Sequence, residues 1–233
     1  MILSIIIPVY NESDFIAEVI ETIFQLKFPV VILQIELIVV DDASKDNSLK
    51  IAQSIAENRN EIKVLSHEKN RGKGAAVQTG LEKSKGDIFI VQDADLELSP
   101  IEIPKMVNLL INNGLEMVNG SRFLKDFLHD DNSFLRNFAN KLFSTFASVI
   151  VRYKITDLTC GYKLFTRNFL NHIELKEKRF GIESELLIKA IKFNKRKVVE
   201  FPVSYAPREI SSGKKIRFTD GFRILWTIIK YSF

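Results

Sequence analysis

Three acidic side chains, Asp93, Asp95 and Glu97, follow a short apolar run from Ile88 to Val91. A run of this length that contains Ile and Val predicts a buried β-strand. Ligands of open α/β sheets bind just beyond the carboxyl ends of the strands. Crowded carboxylates repel one another unless a positive charge lies between them, and hard oxygen ligands suit Mg²⁺ or Mn²⁺ bridged to phosphate. The pattern therefore predicts a metal–diphosphate site, and the simpler alternative is that surface acids merely follow a strand.

Two other polar segments also follow predicted strands. Pro8-Val-Tyr10-Asn-Glu12 ends a strand that begins at Ile2, and Asp41-Asp42 ends the strand Ile35 to Val40. Because the ends of parallel strands converge on one edge of a sheet, both segments should share a crevice with the acids. A tyrosine can stack on a base, and a carboxylate can accept from ring N–H groups or ribose hydroxyls. Together they predict a nucleoside pocket, although Asp42 and Ser44 could instead only cap a helix.

A glycine-rich segment, Asn70-Arg-Gly-Lys-Gly74, precedes a predicted helix. It resembles a phosphate-binding loop but lacks the Gly-Lys-Ser/Thr ending of a P-loop. Glycines are also common where helices begin. The segment alone leaves phosphate contact and a simple helix start both open.

The composition limits the class of protein. The chain has 233 residues, 46% of them hydrophobic, which suits one large α/β domain. A net charge of +4 suits an anionic ligand or a membrane surface and does not require nucleic acid. Cys160 is the only cysteine, so no disulfide can form within the chain. The first residues predict a strand rather than a signal peptide, and no apolar run reaches the roughly 18 residues of a membrane span.

Strand and helix patterns alternate up to Asn119, which predicts a mostly parallel sheet covered on both faces. The first helix should begin near Asn11 or Ser13, which are its candidate N-caps. Beyond Arg122 the pattern changes, and Phe134 to Val151 predicts an amphipathic helix. Further on, we expect a loop at 157–162, a helix at 182–193, a strand-like run at 198–205 and a short final helix.

Arg136 and Asn140 lie four residues apart in the amphipathic helix, so they share one helical face, and an arginine fork pairs well with phosphate. The opposite face of the helix is apolar. Such a face could lie in a membrane interface or pack on the protein core, and the pattern alone leaves both open.

Four motifs occur in order at characteristic spacings: Ile-Ile-Ile-Pro-Val-Tyr-Asn-Glu, Val-Val-Asp-Asp-Ala-Ser, Asn-Arg-Gly-Lys-Gly and Gln-Asp-Ala-Asp-Leu-Glu. They resemble the motifs of family 2 glycosyltransferases of GT-A fold, and the resemblance covers essentially the whole chain. Later segments are similar to those of the polyprenyl (dolichyl) phosphate mannose and glucose synthases within that family: Gly120-Ser-Arg122, Thr156 to Lys163, Pro202 to Arg208 and Gly213-Lys-Lys.

The resemblance implies a single domain over residues 1–233, with a Rossmann-like, mostly parallel sheet and amphipathic interface helices in the C-terminal half. Residues 1–122 would bind the nucleotide sugar, and residues 123–233 would bind the acceptor and the membrane interface. The implied activity moves a hexose from GDP-mannose or UDP-glucose to a polyprenyl or dolichyl phosphate, with Mg²⁺ or Mn²⁺. One in-line displacement would invert the anomeric centre, and the acceptor phosphate needs no general base.

The resemblance also supplies expectations for individual residues. Asp93, Asp95 and Glu97 would bind the metal and the diphosphate, with Asp93 acting mainly on the donor sugar. Mannose synthases often have Gln in place of Glu97, a departure that leaves the donor open. We expect donor contacts from Pro8, Tyr10, Glu12, Val39, Asp41, Asp42, Lys73, Ala94 and Lys214. The expected catalytic set is Asp93, Asp95, Arg122, Arg136, Asn140 and Arg208. In that set Arg122, Arg136 and Asn140 would hold the acceptor phosphate, and Arg208 with Lys214 would close over the diphosphate.

We expect a peripheral enzyme on the cytoplasmic face of a membrane, with a transmembrane partner subunit left open and no nucleic-acid partner. Three alternative functions are a phosphohydrolase with an aspartyl nucleophile, a non-catalytic nucleotide-sugar scaffold, and a transferase acting on a polysaccharide or another glycan. The phosphohydrolase fits poorly, because Leu96 follows Asp95 where that class has Thr or Val. We interpret Asp157 as a residue that orders its loop, and Cys160 as a small buried residue.

Overall fold

The computed structural model describes the backbone of residues 1–124, 134–207 and 218–233, and the side chains of residues 1–124, 137–207 and 221–233. The strands are β1 (Ile2–Val9), β2 (Gln34–Asp41), β3 (Ile62–Ser66), β4 (Ile88–Val91), β5 (Met117–Ser121), β6 (Lys163–Thr166) and β7 (Val198–Pro202). The α-helices are α1 (Ile16–Gln25), α2 (Ser48–Ala56), α3 (Lys73–Lys83), α4 (Ile103–Asn112), α5 (Phe134–Val151), α6 (Arg167–Asn171), α7 (Ile182–Asn194) and α8 (Phe218–Ser232). Short 3₁₀ turns at Pro100–Glu102 and Lys195–Lys197 precede α4 and β7.

The described strands form one seven-stranded sheet in the order β3-β2-β1-β4-β6-β5-β7. Strands β1 to β4 are parallel, and β5 and β7 are parallel to each other. Strand β6 runs antiparallel between β4 and β5. The expectation of a mostly parallel sheet is therefore confirmed.

A hydrophobic core lies on each face of the sheet. Helices α1, α2 and α4 contribute to one core, which includes Ile20, Ala52 and Met106. Helices α3, α5, α7 and α8 contribute to the other, which includes Val77 and Leu187. Because both faces are covered, the central strands are apolar throughout rather than alternating, as the run Ile88 to Val91 shows.

Two expectations about the elements were wrong. Helix α1 begins at Ile16 and not near Asn11 or Ser13, because Asn11 has a left-handed backbone and its side chain accepts from the Lys45 amide. Strand β6 and helix α6 were not predicted at all. The amphipathic helix α5, in contrast, has the expected bounds. Within the part of the chain that the structure describes, no helix has both the length and the apolarity to cross a bilayer.

Candidate active site

The carboxyl ends of β1, β2 and β4 meet at one edge of the sheet. Val9 pairs with Asp41, and Ile6 pairs with Val91, so the residues that follow these strands leave from neighbouring positions. The Asp42 amide donates to the Val9 carbonyl at 2.7 Å. The strand ends therefore bring the three polar segments of the sequence together, as predicted from the topology of parallel sheets.

Each of the three loops at this edge contains a non-glycine residue with a left-handed backbone: Asn11 (φ 55°), Ala43 (φ 61°) and Leu96 (φ 57°). Arg152 is the other such residue among those described. A left-handed conformation costs roughly 1–3 kcal/mol for most side chains and persists where the surroundings impose it, often at functional sites. The strain therefore coincides with the edge that the motifs predict to bind ligand.

Asp41 and Asp42 have different roles. Asp41 Oδ2 accepts from the Ser44 amide at 3.0 Å, whereas its Oδ1 is buried without a hydrogen-bond partner. Both oxygens of Asp42 are used within the protein: Oδ1 accepts from the Arg71 amide at 2.8 Å, and Oδ2 accepts from the Gly72 amide at 2.7 Å. An unpaired buried carboxylate oxygen is costly unless a ligand satisfies it. Asp41 is thus suited to accept a hydrogen bond from a nucleoside. The contacts of Asp42 instead organise the glycine-rich loop.

The glycines of that loop are explained by close packing. Gly72 has φ +95°, and a β-carbon on Gly74 would lie 2.2 Å from the Glu177 carbonyl oxygen. The amide of Ala75 at the start of α3 donates to the Lys178 carbonyl at 3.0 Å. The segment 177–179 therefore occupies the space where a phosphate-binding loop would hold its anion. The residue of the loop that reaches the site is Lys73.

Lys73 forms two short ion pairs, with Asp93 Oδ1 and with Glu183 Oε1, each at 2.6 Å from its Nζ. Burial alone would lower the pKa of Lys73, but the charges of Asp93 and Glu183 outweigh it and raise the pKa. The lysine is therefore a fixed cation, and Asp93 shares its positive charge with Glu183. This arrangement favours a role for Asp93 toward the donor sugar over a role as a strong metal ligand.

A buried glutamine closes the acidic loop after β4. Gln92 Nε2 donates to the carbonyls of Asp93 and Leu98, at 2.9 and 3.1 Å, and its Oε1 accepts from the Tyr162 hydroxyl at 2.6 Å. Burial raises the pKa of Tyr162 well above its usual value, so the hydroxyl remains a donor. These bonds turn the chain back on itself and leave the loop that carries Asp95 and Glu97 only partly exposed.

The described Asp, Glu, His and Cys side chains include no converged set of three that could hold a metal ion. The expected third carboxylate, Asp93, is turned to Lys73, and Gly161 packs against it so closely that a β-carbon there would lie 2.3 Å from Asp93 Oδ2. Two carboxylates remain, Asp95 and Glu97. Mg²⁺ is usually held by one or two carboxylates with substrate phosphates and water, so this donor set fits such an ion.

A second candidate site for an anion lies around Arg122. Its Nε and Nη2 bind Asp157 at 2.7 and 3.0 Å, and Nη2 also reaches the Thr159 hydroxyl at 3.1 Å. Burial would lower the pKa of Arg122 and raise that of Asp157, but their mutual attraction reverses both shifts. Asp157 is fully buried, in agreement with its interpretation as a loop-ordering residue.

Asn140 joins this arrangement through Thr159, whose hydroxyl donates to Asn140 Oδ1 at 2.7 Å. The Asn140 side chain is buried, and its Nδ2 has no hydrogen-bond partner. An amide donor left unpaired beside an arginine is suited to a bound anion. The structure thus places two of the three expected acceptor-phosphate residues in one network.

Tyr205 connects the two arrangements. Its hydroxyl donates to Glu97 Oε2 at 2.9 Å, and its ring lies 5.0 Å from the guanidinium carbon of Arg122. The backbone is joined as well, because Leu98 and Tyr205 form a β-bridge and the Ala206 amide donates to the Glu97 carbonyl. The candidate metal loop and the candidate acceptor arginine are therefore one side chain apart.

Helix α5 is oriented with its polar face toward the protein. Asn140 and Ser144 are buried, and the Ser144 and Ser148 hydroxyls accept from the amides of Leu158 and Ile155. The apolar residues Phe138, Leu142, Phe146 and Val149 are exposed, Val149 to 72%. Helix α8, which contacts α5, exposes a matching row formed by Phe222, Trp226 and Ile229. Core packing, which the sequence left open, is thus excluded for this row of α5.

A model of the family described as "Glycosyl transferase family 2" matches residues 4–174. That match covers most of the chain and includes all three loops at the edge of the sheet. The chain belongs to glycosyl transferase family 2. The family expected from the motifs is therefore confirmed, and with it the classification of the chain as a glycosyltransferase.

Three relatives of this family 2 chain have names that include dolichol phosphate or dolichyl phosphate. It is 33% identical over 220 residues to the dolichol-phosphate mannosyltransferase of Pyrococcus furiosus, covering 92% of this chain and 59% of that protein. It is 29% identical to a UDP-N-acetylglucosamine–dolichyl-phosphate N-acetylglucosaminyltransferase of Methanococcus voltae, covering 97% of this chain and 94% of that protein. It is 30% identical to a dolichyl-phosphate β-glucosyltransferase of Dictyostelium discoideum, covering 99% and 74%. The chain thus spans less than two thirds of the Pyrococcus protein.

Among solved structures, the chain is similar to glucosyl-3-phosphoglycerate synthase from Mycobacterium tuberculosis in complex with UDP. The TM-score is 0.75 at 19% identity, and the match covers 99% of this chain and 79% of that one. The same synthase was also solved with Mn²⁺ and UDP. At this identity the similarity establishes the fold, and the expected GT-A architecture is confirmed.

The remaining expected residues fall into three groups. Pro8, Tyr10 and Glu12 are partly exposed at the edge of the sheet. Val39 and Ala94 are buried in the hydrophobic core, so their side chains are not available to a nucleoside. Arg208 and Lys214, together with the side chain of Arg136, lie outside the described residues.

The sequence analysis missed Gln92, Tyr162, Glu183 and Tyr205 as site residues. Tyr205 and Tyr162 lie within segments whose resemblance was noted, so only their individual roles were missed. Glu183 gave no local signal, because an acid in the first turn of a helix is ordinary.

Proposed function

We propose that this family 2 glycosyltransferase moves a hexose from a nucleotide sugar to a polyprenyl or dolichyl phosphate, with inversion and with a divalent metal. GDP-mannose and UDP-glucose are the first donor candidates. UDP-N-acetylglucosamine joins them because the Methanococcus relative, which this chain spans almost fully, is named for that donor.

The observation that carries the proposal is the contact of Tyr205 with both Glu97 and Arg122. A transferase must hold its leaving diphosphate and its attacking group within bonding reach of one carbon atom. Asp95 and Glu97 supply hard oxygen ligands on one side of Tyr205. Arg122 and the unpaired Nδ2 of Asn140 supply donors for an anion on the other side.

In the proposed reaction an oxygen of the acceptor phosphate attacks the anomeric carbon of the sugar. The bond from that carbon to the nucleoside diphosphate breaks on the opposite side, and the electron pair leaves with the diphosphate. The acceptor is already an anion, so no base has to remove a proton. A divalent ion held by Asp95 and Glu97 would stabilise the charge of the leaving diphosphate. Lys73 keeps Asp93 in a fixed orientation from which it can accept from sugar hydroxyls.

Association with a membrane surface belongs to the same proposal. The exposed apolar residues of α5 and α8 form a face that suits the interfacial region of a bilayer, and Trp226 has the amphipathic ring typical of that region. The buried polar face of the same helix α5 carries Asn140. One element would therefore seat the lipid and present its phosphate to the site. We further propose the cytoplasmic side, where nucleotide sugars are made, and a transmembrane partner subunit remains compatible with it.

The proposal is tested by transfer of label from GDP-mannose, UDP-glucose and UDP-N-acetylglucosamine to polyprenyl phosphate in vesicles, with Mg²⁺, Mn²⁺ or EDTA. We expect one donor to yield a lipid-phosphate product, β-linked if the donor is α-linked, and EDTA to abolish it. Asp95→Asn should lower the rate at least about 100-fold, and the matched change Glu57→Gln on the exposed end of α2 should not.

An α-linked product would refute the single displacement. Transfer to free glycans but not to polyprenyl phosphate would favour the alternative acceptor class. Nucleotide-sugar binding without transfer or hydrolysis under any of these conditions would favour a non-catalytic scaffold.

A further inference from the structure

Five exposed basic side chains form a cluster at the ends of α5 and α7: Arg152, Lys154, Lys192, Lys195 and Arg196. Neither of the two segments that supply them, residues 142–156 and 186–197, contains an Asp or a Glu. None of the five forms an ion pair with an acidic side chain of the described residues. We refer to them as the basic cluster.

The two segments are fastened side by side. The Tyr153 hydroxyl donates to the Val198 carbonyl at 2.6 Å, which holds Arg152 and Lys154 next to the turn that carries Lys195 and Arg196. Val151 at the end of α5 and the basic residues of 192–196 line a single cavity of about 590 Å³. Three members of the cluster thus share one cavity with the end of α5, and Arg152 and Lys154 flank the tyrosine that joins the two segments.

The basic cluster lies where the apolar face of α5 ends. Phe138, Leu142 and Val149 lie on one side of α5, which ends at Val151, and Arg152 follows directly in the turn after the helix. A lysine near a helix C-terminus is common because it complements the helix dipole. That effect accounts for Lys192 and Lys195 at the end of α7 and for Arg152 at the end of α5, but not for Lys154 and Arg196, which lie further beyond the helix ends.

The apolar row of α8 ends at the same place. Lys230 and Tyr231, which follow Ile229 of that row, line a second cavity together with Lys192 and Phe193. The apolar row of α8 therefore finishes beside Lys192 of the basic cluster, whereas Lys230 itself is paired with Glu177.

We propose that the basic cluster binds the headgroups of anionic phospholipids and so makes the seating of the α5–α8 face selective for negatively charged bilayers. This inference rests on the membrane association in the proposed function and adds the class of lipid and the residues that select it. Each Lys or Arg near an anionic surface contributes about 1 kcal/mol of attraction, which corresponds to about a fivefold gain in partitioning.

The test uses the full chain with vesicles of phosphatidylcholine alone and with vesicles in which about a third of the lipid is phosphatidylglycerol. Co-sedimentation gives a partition coefficient for each. We expect tighter binding of the anionic vesicles, and the difference should shrink at high salt, because surface charges are screened. The variant Lys192→Gln/Lys195→Gln/Arg196→Gln should bind anionic vesicles about 100-fold more weakly and neutral vesicles unchanged.

A matched control removes the same charge elsewhere: Lys50→Gln/Lys63→Gln/Lys83→Gln, on α2, β3 and α3, where all three side chains are exposed. It should change binding less than about twofold, and thermal unfolding of both variants should match the parent. If the control weakens binding as much as the test variant, overall charge is responsible and the inference fails.

Equal binding of the parent chain to neutral and anionic vesicles would overturn the lipid selectivity and leave the proposed membrane association standing. Binding to neither would contradict both. Unchanged anionic binding by the test variant would also overturn the inference, and would assign the cluster to another acidic partner.

Discussion

The Lys73 ion pairs provide the sharpest test of how the site is built. Lys73→Met keeps most of the side-chain volume and removes the cation between Asp93 and Glu183, whose side chains are 23% and 7% exposed. Removing one partner of a buried charge network typically costs about 3–5 kcal/mol, because the remaining charges are left uncompensated. We expect a loss of that size in the free energy of unfolding.

The size of the repulsion follows from the geometry. Both carboxylate oxygens lie 2.6 Å from Lys73 Nζ, so they are at most about 5.2 Å apart. At an effective dielectric constant of about 20, two unit charges at that distance repel by about 3 kcal/mol. Adding Glu183→Gln removes this repulsion. The double variant Lys73→Met/Glu183→Gln should therefore be about 3 kcal/mol more stable than Lys73→Met alone.

The assay is urea unfolding followed by circular dichroism, with the midpoint and slope fitted for the parent, both single variants and the double variant. Glu183→Gln alone keeps the Lys73–Asp93 pair and should cost only about 1–2 kcal/mol. A double variant no more stable than Lys73→Met would refute the electrostatic account of this site.

Three further predictions follow from contacts described above. Gly161→Ala should lower kcat by about 100-fold, because a β-carbon 2.3 Å from Asp93 Oδ2 must displace that carboxylate. Gly221→Ala is the control: its β-carbon would have its nearest contact at 3.5 Å, so kcat should not change. Equal effects of the two variants in steady-state assays would contradict the reasoning. Tyr205→Phe keeps the ring and removes the hydroxyl that donates to Glu97 in the acidic loop. The Mn²⁺ concentration that gives half-maximal activity should therefore rise about tenfold, with little change in the acceptor KM. An unchanged Mn²⁺ titration would count against this role of Tyr205. Burial raises the pKa of Cys160 to about 11. The thiol of the native protein should therefore react with a thiol reagent far more slowly at pH 8 than the thiol of the urea-unfolded chain. Fast labelling of the native protein would show instead that the loop at 157–162 opens.

The site residues that could be predicted are those whose position depends on residues close to them in the sequence. An apolar run followed by acids defines both a strand and the edge where its ligand binds, and this holds for Asp41 as well as for Asp95. The bounds of α5 were predictable because its polar and apolar residues recur with helical periodicity over 18 residues.

The part that the sequence could not predict depends on contacts between distant segments. Strand β6 has four residues and begins with the fully buried Lys163, so it lacks the uninterrupted apolar run by which the equally short β4 was recognised. Glu183 meets Lys73 only because α7 packs beside the start of α3. The direction in which α5 faces was also undetermined, since its serines turn inward to accept amide hydrogens from a loop that the sequence does not place beside them.

The antiparallel strand β6 has a consequence for exchanging parts between relatives of this enzyme. It comes from the C-terminal half of the chain, yet it is inserted between β4 and β5, which both come from the N-terminal half. A hybrid joined near residue 122 would therefore have to recreate three hydrogen-bonded seams at once, one on each side of the four-residue β6 and one between β5 and β7. Hybrids that exchange a segment bounded by surface loops within one half of the chain should therefore fold and combine donor and acceptor preferences. Hybrids whose junction separates β6 from β4 and β5 should fail.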